Sequence, residues 1–161
     1  MAFDAFLKID GIEGESNDSK HKGEIEVLSF AWNVSHPASS SSGRSGSGKA
    51  KLTDFQVMKV LDKASPLLFE ACCSGDHISE ALFTARKAGE SKFEFLKIKM
   101  SDVIITSVSP GGSSAAGDLP MESVSLSFSK IEQEVFSLDP SGKPSGSSKS
   151  SCSPRLVDRD Q

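Results

Sequence analysis

Tyrosine is absent from this sequence, and tryptophan and cysteine are scarce, with one and three residues. Cys72 and Cys73 are adjacent, where a mutual disulfide would be strained, so a disulfide framework is excluded as the stabilising device. No apolar run approaches the ~20 residues that a transmembrane helix needs. Asp4 stands where a secretory signal peptide carries positive charge. We therefore expect a protein that is made in the cytosol and does not insert into a membrane.

An excess of positive charge is also missing. Eighteen Lys and Arg residues stand against 22 Asp and Glu residues, which gives a net charge of −4. This balance argues against a surface built to bind nucleic acid. The length of 161 residues is typical of one domain that buries roughly two-thirds of its unfolded-chain surface. Serine and glycine concentrate in residues 39–49 and 141–153, which is typical of a flexible loop or tail.

Alternation of apolar and polar residues predicts strands along most of the chain. It is regular over residues 2–9 and most regular over 123–129, where Val124 and Leu126 alternate with serines. The apolar parity changes within residues 25–36, which predicts a bulge near Val27. It inverts again beyond Lys130, which predicts that the chain leaves one packing layer and joins another. Further strands are predicted over 50–61, 78–89, 92–100 and 102–109.

One helix is predicted over about residues 65–74. Ser65 is expected as its N-cap, Pro66 as its first residue and Gly75 as its left-handed C-terminal residue. Leu68, with Ala71 and Cys72, should face a sheet.

Seven or eight strands with a single helix exclude βαβ units. The fold class is therefore mainly β, an antiparallel barrel or sandwich with one helix, whose strand edges need partners such as a neighbouring subunit.

No catalytic, cofactor-binding or metal-binding residues are predicted. Residues 43–49 fit the G-x-x-x-x-G-K spacing of a phosphate-binding loop, but Ala50 replaces the hydroxyl that binds Mg²⁺ and a strand is expected to follow. A flexible loop is the better interpretation. Cys73 and His77 approach a metal-ligand spacing without a second pair of ligands. No G-x-S-x-G nucleophile motif occurs.

A connected series of motifs carries a family resemblance: FLKIDGIEGES, HKGEIEVLSFAW, DKASPLLFEACCSGDH, RKAG, FLKIKMSDVIITSVSPGG and ESVSLSFSKIE. Over residues 2–138 the chain resembles the haemolysin-coregulated protein (Hcp) family, the inner-tube component of type VI secretion systems. The resemblance implies an antiparallel two-sheet β-barrel with one helix that assembles as hexameric rings. The rings stack into a tube, are secreted from the cytoplasm without a signal peptide, and carry or chaperone effector proteins in the channel. Implied partners are other copies of the chain, effectors, the tip spike protein and the sheath.

The resemblance also suggests roles for two loops. Residues 39–49 look like the family loop that reaches toward the next ring, which makes ring-stacking candidates of Ser39, Ser42, Gly43, Arg44, Gly48 and Lys49. Residues 109–117 look like a segment near the channel, so Ser113 and Ser114 are channel-facing candidates; a plain glycine turn is the alternative. The outward serines of 123–129 are equally candidates for a polar channel wall. The family domain is expected over 1–138 and a Ser-rich, disordered tail over 139–161.

Two other functions are weighed against the tube subunit. One is a monomeric β-barrel that acts as a chaperone or binding module for secreted effectors. The other is an effector enzyme that would bind nucleotide at 43–50 or metal at Cys73 and His77. The particle mass separates the first alternative from a ring, since a ring of six copies closes around an axis and a monomer does not.

Overall fold

The computed structural model of the chain describes residues 2–37, 50–117 and 119–153. The strands of this part are β1 Phe3–Ile9, β2 Ile25–Val27, β3 Ser29–Ala31, β4 Val34–Ser35, β5 Lys51–Leu52, β6 Phe55–Val60, β7 Ile78–Lys87, β8 Glu94–Gly111, β9 Met121–Ser127, β10 Lys130–Leu138 and β11 Pro144–Cys152. The helix α1 spans Ser65–Ser74, and a short 3-10 helix spans Ser114–Ala116.

Nine of the eleven described strands form two antiparallel sheets that share one long strand, and β4 and β5 pair with each other as a separate hairpin. Sheet A contains, in order, β2, β1, β7, the first half of β8, β10 and β11. Sheet B contains the second half of β8, then β9, β6 and β3. The predicted class, mainly β with two antiparallel sheets and one helix, is confirmed. Among the described residues the hydrogen-bonded path does not close into a full barrel.

The chain passes between the sheets at two places. Two separate strands were predicted over 92–100 and 102–109, but β8 runs through both and bends at Asp102, whose φ is +53°. At the other crossing, Leu28 separates β2 of sheet A from β3 of sheet B, and its N–H donates to Met58 O at 2.7 Å. The bulge predicted near Val27 is this change of sheet, which produces the same switch of apolar parity.

The space between the sheets holds the core. Leu7 and Phe83 of sheet A lie opposite one another in register and are almost fully buried. Phe55 and Leu126 form a matching buried pair in sheet B. Each such side chain contributes about 1.5–3 kcal/mol of stabilisation through its burial. The change of layer predicted beyond Lys130 is confirmed, because β9 belongs to sheet B and β10 to sheet A.

The helix α1 has the predicted bounds but a different N-cap. Ala64 occupies the cap position and makes no side-chain capping bond, whereas Ser65 is the first helical residue. The Ser65 hydroxyl instead accepts from the N–H of Asp62 and donates to Glu122. The predicted left-handed Gly75 is confirmed, with φ at +69°.

Residues 144–152 differ from the expected disordered tail over 139–161, since β11 pairs with β10 along its length. Asp139 organises the turn between them: its Oδ1 accepts from the N–H groups of Ser141 and Lys143, both at 2.9 Å. A serine-rich strand can be stable here because pairing needs only backbone groups, which β10 offers at its edge. The domain boundary at residue 138 is still a proposal.

Candidate functional site: a serine-rich sheet face

The outward face of sheet B carries uncharged side chains, most of them serines, on four adjacent strands. Residues directly opposite one another in antiparallel strands point to the same side of a sheet. Register therefore places two continuous rows across the sheet, and we call these rows the serine face. The first row is Ala31, Gln56, Ser125 and Ser107, and the second is Ser29, Met58, Ser123 and Ser109.

A period of two produces this face. In β9, Val124 and Leu126 point into the core, and Ser123 and Ser125 have the opposite parity, although Ser125 is only 7% exposed. The end of β8 repeats the pattern, since Val108 packs on the core between two outward serines. Because both strands alternate in step, the serines line up in rows rather than scattering over the surface.

Charge is missing from both rows of the serine face. Asp54 lies just before β6, and its Oδ2 accepts a hydrogen bond from the Thr106 hydroxyl at 2.6 Å. Serine hydroxyls donate and accept hydrogen bonds on a short side chain. The face can therefore make many weak, interchangeable contacts with a passing surface, without charges that would hold one partner, and Met58 is its one large apolar side chain.

Ser113 and Ser114 are exposed in the turn between β8 and β9, where Ser113 precedes the short 3-10 helix and Ser114 is its first residue. The turn closes with Gly117 at φ +75°. It follows the last pair of the β8–β9 ladder, Gly111 with Met121, at one end of the serine face. These two serines thus lie at the rim of the face and outside its two rows. The stacking-loop candidates Ser39, Ser42, Gly43, Arg44, Gly48 and Lys49 lie outside the described residues.

The serines of β9 were predicted to face outward, but the contributions of the other three strands were not predicted. The alternation of Ser107, Val108 and Ser109 carries the same signal as β9. That these serines join those of β9 depends on register, which composition does not reveal.

The outward face of sheet A is different in character. Lys99 stands opposite Glu132 in the register of β8 and β10, and Lys97 stands opposite Glu134. Glu132 also lies 3.5 Å from Lys130 and 3.8 Å from Lys149. These alternating charges form a solvated lattice, and each exposed pair contributes little to stability.

The loop of residues 10–24 packs on another part of sheet A, where the buried Arg86 binds it. The Arg86 guanidinium lies 4.9 Å from the centroid of the Phe6 ring and binds Asp18 through two nitrogens, at 3.0 and 2.5 Å. The hydrogen bond from Arg86 holds the pKa of the Asp18 carboxyl well below its usual range. His21 stacks on the same phenylalanine ring at 4.4 Å, with Glu24 and Glu94 on its two nitrogens.

A second buried cluster joins α1 to sheet B. Lys59 Nζ lies 2.5 Å from Glu122 Oε2 and 2.8 Å from Asp62 Oδ1, and it donates to Ser65 Oγ at 3.2 Å. The side chains of Lys59 and Glu122 are each 1% exposed. The cluster is internal, and its charges satisfy one another.

Cys73 and His77, whose spacing suggested metal ligands, do not contact a shared site in the structure. His77 Nδ1 lies 2.7 Å from Asp102 Oδ1, and Cys73 is exposed. Nowhere in the described part of the chain do three His, Cys, Asp or Glu side chains come together as a metal site. After residues 43–49 come the strands β5 and β6, so the predicted strand is confirmed there. Within residues 2–37, 50–117 and 119–153, no helix is long and apolar enough to cross a membrane.

Comparison with known proteins gives a consistent set of relatives. A family model described as "Type VI secretion system effector, Hcp" matches residues 6–135, which include all four strands of the serine face. Protein hcp1 of Pseudomonas aeruginosa is 38% identical over 134 residues, 82% of each chain.

Two solved structures extend the comparison to the fold. The crystal structure of Hcp1 from Salmonella typhimurium is 43% identical with a TM-score of 0.80 and covers 97% of both chains. That of a type VI secretion system effector from Yersinia pestis is 37% identical with a TM-score of 0.74, covering 93% of this chain and 99% of that one. The Salmonella match extends past residue 138, so the serine-rich C-terminal segment also has a counterpart in that relative.

Proposed function

The chain belongs to the Hcp family of type VI secretion proteins, and from that premise we propose that it is a structural tube subunit rather than an enzyme. Six copies form a ring, and rings stack into a tube that is loaded in the cytoplasm and expelled. The tube's partners are the tip spike protein, the sheath and effector proteins carried in the channel. Open strand edges support ring formation, since β11 pairs only with β10 in the described part of the chain.

We assign the channel wall to the serine face. A wall that guides different effectors must let each move without a strong anchor. Two uncharged rows on sheet B supply such a surface, whereas the Lys99 and Glu132 face of sheet A would bind charged cargo unevenly. Ser113 and Ser114 then lie at the channel rim, where they contact cargo as it enters. The loop of residues 39–49 takes the ring-stacking role.

Particle mass and shape test the assembly. Light scattering and negative-stain images of the purified protein should show a six-subunit ring with a central hole. A stable monomer at all concentrations would contradict the tube and favour the monomeric chaperone.

Bulky substitutions test the channel wall. Ser113→Gln and Ser109→Gln should leave rings intact and lower the amount of effector that co-elutes with each ring, measured by native mass spectrometry. Glu134→Gln on sheet A is the matched control and should retain cargo like the unmodified protein. Equal cargo loss in all three variants would overturn the assignment of the serine face.

A further inference from the structure

The serine face changes character at one end of its strands. One pair beyond the second row, Val60 of β6 stands opposite Met121 of β9, on the same side of sheet B as the outward serines. Met58 of the second row precedes Val60 by two residues on β6 and therefore points to that side as well. Apolar side chains thus replace serines at the end of the face that lies next to the β8–β9 turn.

Leu119 extends this apolar end beyond the paired strands. It precedes Met121 by two residues, and its side chain is 71% exposed. The Leu61 N–H donates to Pro120 O at 3.0 Å, which continues the pairing of the two segments past Met121 and keeps Leu119 at this end. Leu119 and Val60 line one cavity of about 250 Å³. We call the following four residues the apolar patch: Met58, Val60, Leu119 and Met121.

The apolar patch has open space beside it. Gly111 of β8 stands opposite Met121, and a Cβ on Gly111 would meet no atom beyond its chain neighbours within 4 Å. Met58, Val60 and Met121 are only partly buried. Neighbouring apolar side chains that stay accessible on a folded protein are typical of an interaction site. The space beside Met121 can therefore admit an apolar side chain of a partner.

Two methionines suit this patch to partners of different shapes. Met58 and Met121 are diagonal neighbours in the register of β6 and β9, within reach of each other's long side chains. Methionine is unbranched and polarisable, so it adapts to irregular surfaces, and it is enriched in protein interfaces. The patch can therefore pack on an apolar group without requiring one fixed outline.

Carboxylates border the apolar patch on one side. Glu15, Glu26 and Asp62 line the cavity next to it. Asp62 is paired with the buried Lys59, but Glu26 is exposed and has no ion-pair partner among the described residues. An apolar surface beside an unpaired carboxylate is complementary to a partner that carries apolar and basic side chains.

We propose that the apolar patch holds effectors on the serine face and selects those that present an apolar side chain beside Lys or Arg. The serine rows let cargo move, whereas the patch retains it at the end of the face next to the β8–β9 turn. The inference rests on the proposed channel wall, on which each ring carries six copies of the patch. It identifies the chemistry of the cargo, which the uncharged serines alone leave open.

Labelled peptides of equal length test the chemistry of the cargo. One peptide carries leucine and phenylalanine beside lysine, a second has serine in place of the apolar residues, and a third has glutamate in place of the lysines. Binding to the purified protein is measured by fluorescence anisotropy. The first peptide should bind about tenfold more tightly than either of the others, a difference that one buried apolar side chain can supply. Equal binding of all three would overturn the inference.

Substitutions in the patch locate the binding. Leu119→Ser and Met121→Ser should each weaken binding of the first peptide about tenfold, because each removes an apolar contact. Val135→Ser is the matched control, since it removes a 45% exposed apolar side chain from β10 of sheet A, and it should not change binding. Thermal unfolding checks that each variant is folded, and the exposed Leu119 leaves one patch variant without a packing cost. Unchanged binding in both patch variants would overturn the inference.

Charge reversal tests the acidic border. Glu26→Lys should weaken binding of the lysine peptide and strengthen binding of the glutamate peptide, whereas Glu132→Lys on sheet A should change neither. No effect of Glu26→Lys would overturn the selection of basic cargo.

Native mass spectrometry of the same samples separates this inference from the proposed function. Rings whose peptide binding does not depend on the patch would overturn the inference and leave the tube. A chain that stays monomeric but binds the first peptide through Leu119 and Met121 would overturn the tube and support the patch.

Discussion

The outward faces of the two sheets differ although their inward faces follow the same rule. Both sheets alternate apolar residues toward one core, as Phe83 does in sheet A and Leu126 in sheet B. Outside, sheet A shows a lattice of Lys97, Lys99 and Glu132, and sheet B shows rows of serines. Because folding constrains only the inward parity, the outward composition reflects what each face meets. The outward face of sheet A is compatible with water or a charged neighbour. On the proposed function, the outward face of sheet B contacts effectors that move along the channel.

The largest expected effect comes from a substitution in the core that the two sheets share. Phe128 is 5% exposed and packs in the shared core where the chain leaves sheet B for sheet A. Phe128→Asp buries an unpaired charge and should cost about 4 kcal/mol or more, enough to abolish cooperative folding. Thermal unfolding followed by circular dichroism measures this. The exposed Lys130→Asp serves as control and should cost about 1 kcal/mol or less, since it disrupts only the exposed pair of Lys130 with Glu132. A cooperative transition in Phe128→Asp would show that the sheets do not depend on one core.

A lysine on each sheet sharpens the comparison. Lys59 lies on the inner side of sheet B with Glu122, and Lys99 lies on the outer side of sheet A. Lys59→Met should cost about 3–5 kcal/mol because Glu122 is left as an uncompensated buried charge. Lys99→Met should cost about 1 kcal/mol or less. Urea unfolding measures both.

A double variant separates the cost of the unpaired charge from that of lost packing. Lys59→Met with Glu122→Leu should recover most of the lost stability, since neither fully buried charge remains and Asp62, at 13% exposed, still reaches water. If the double variant were as unstable as Lys59→Met alone, shape and not charge would determine the effect.

Sequence alternation was enough to predict much of the fold. Regular apolar spacing located β1 and β9, and Pro66 with Gly75 bounded α1. The continuity of β8 was missed, because the bend at Asp102 interrupts the parity as a strand end would. The strand β11 was missed because its serines bury nothing and its stability depends on backbone pairing with β10.

Only part of the candidate site could be predicted from the sequence. The β9 serines stood out by their alternation, but which strands lie beside β9 is a matter of topology. Neither Gln56 nor Ser29 carries a local signal that would place it on the same face.

The loop that covers part of sheet A provides a pH-dependent test. The pKa of Asp18 is depressed by Arg86 in the folded protein. Its stabilising contribution is therefore present above the unfolded-state pKa near ~4 and is lost as pH falls through the lower folded-state value. Asp18→Asn should lower the melting temperature at pH 7, and the difference from the unmodified protein should narrow below about pH 4. A constant difference from pH 7 to pH 3 would show that the charge pair is not its cause.

The smallest effect on stability should accompany a large effect on cargo. Ser109 is exposed on the serine face, so Ser109→Glu should change the free energy of unfolding by no more than about 0.5 kcal/mol. In a six-subunit ring the substitution would place six carboxylates around the channel, whose field would repel acidic effectors and retain basic ones. Glu132→Gln removes a charge from sheet A at a similarly small cost and should leave cargo unchanged. Effector retained per ring, measured by native mass spectrometry, distinguishes the two variants. If Glu132→Gln altered retention and Ser109→Glu did not, sheet A rather than sheet B would face the cargo.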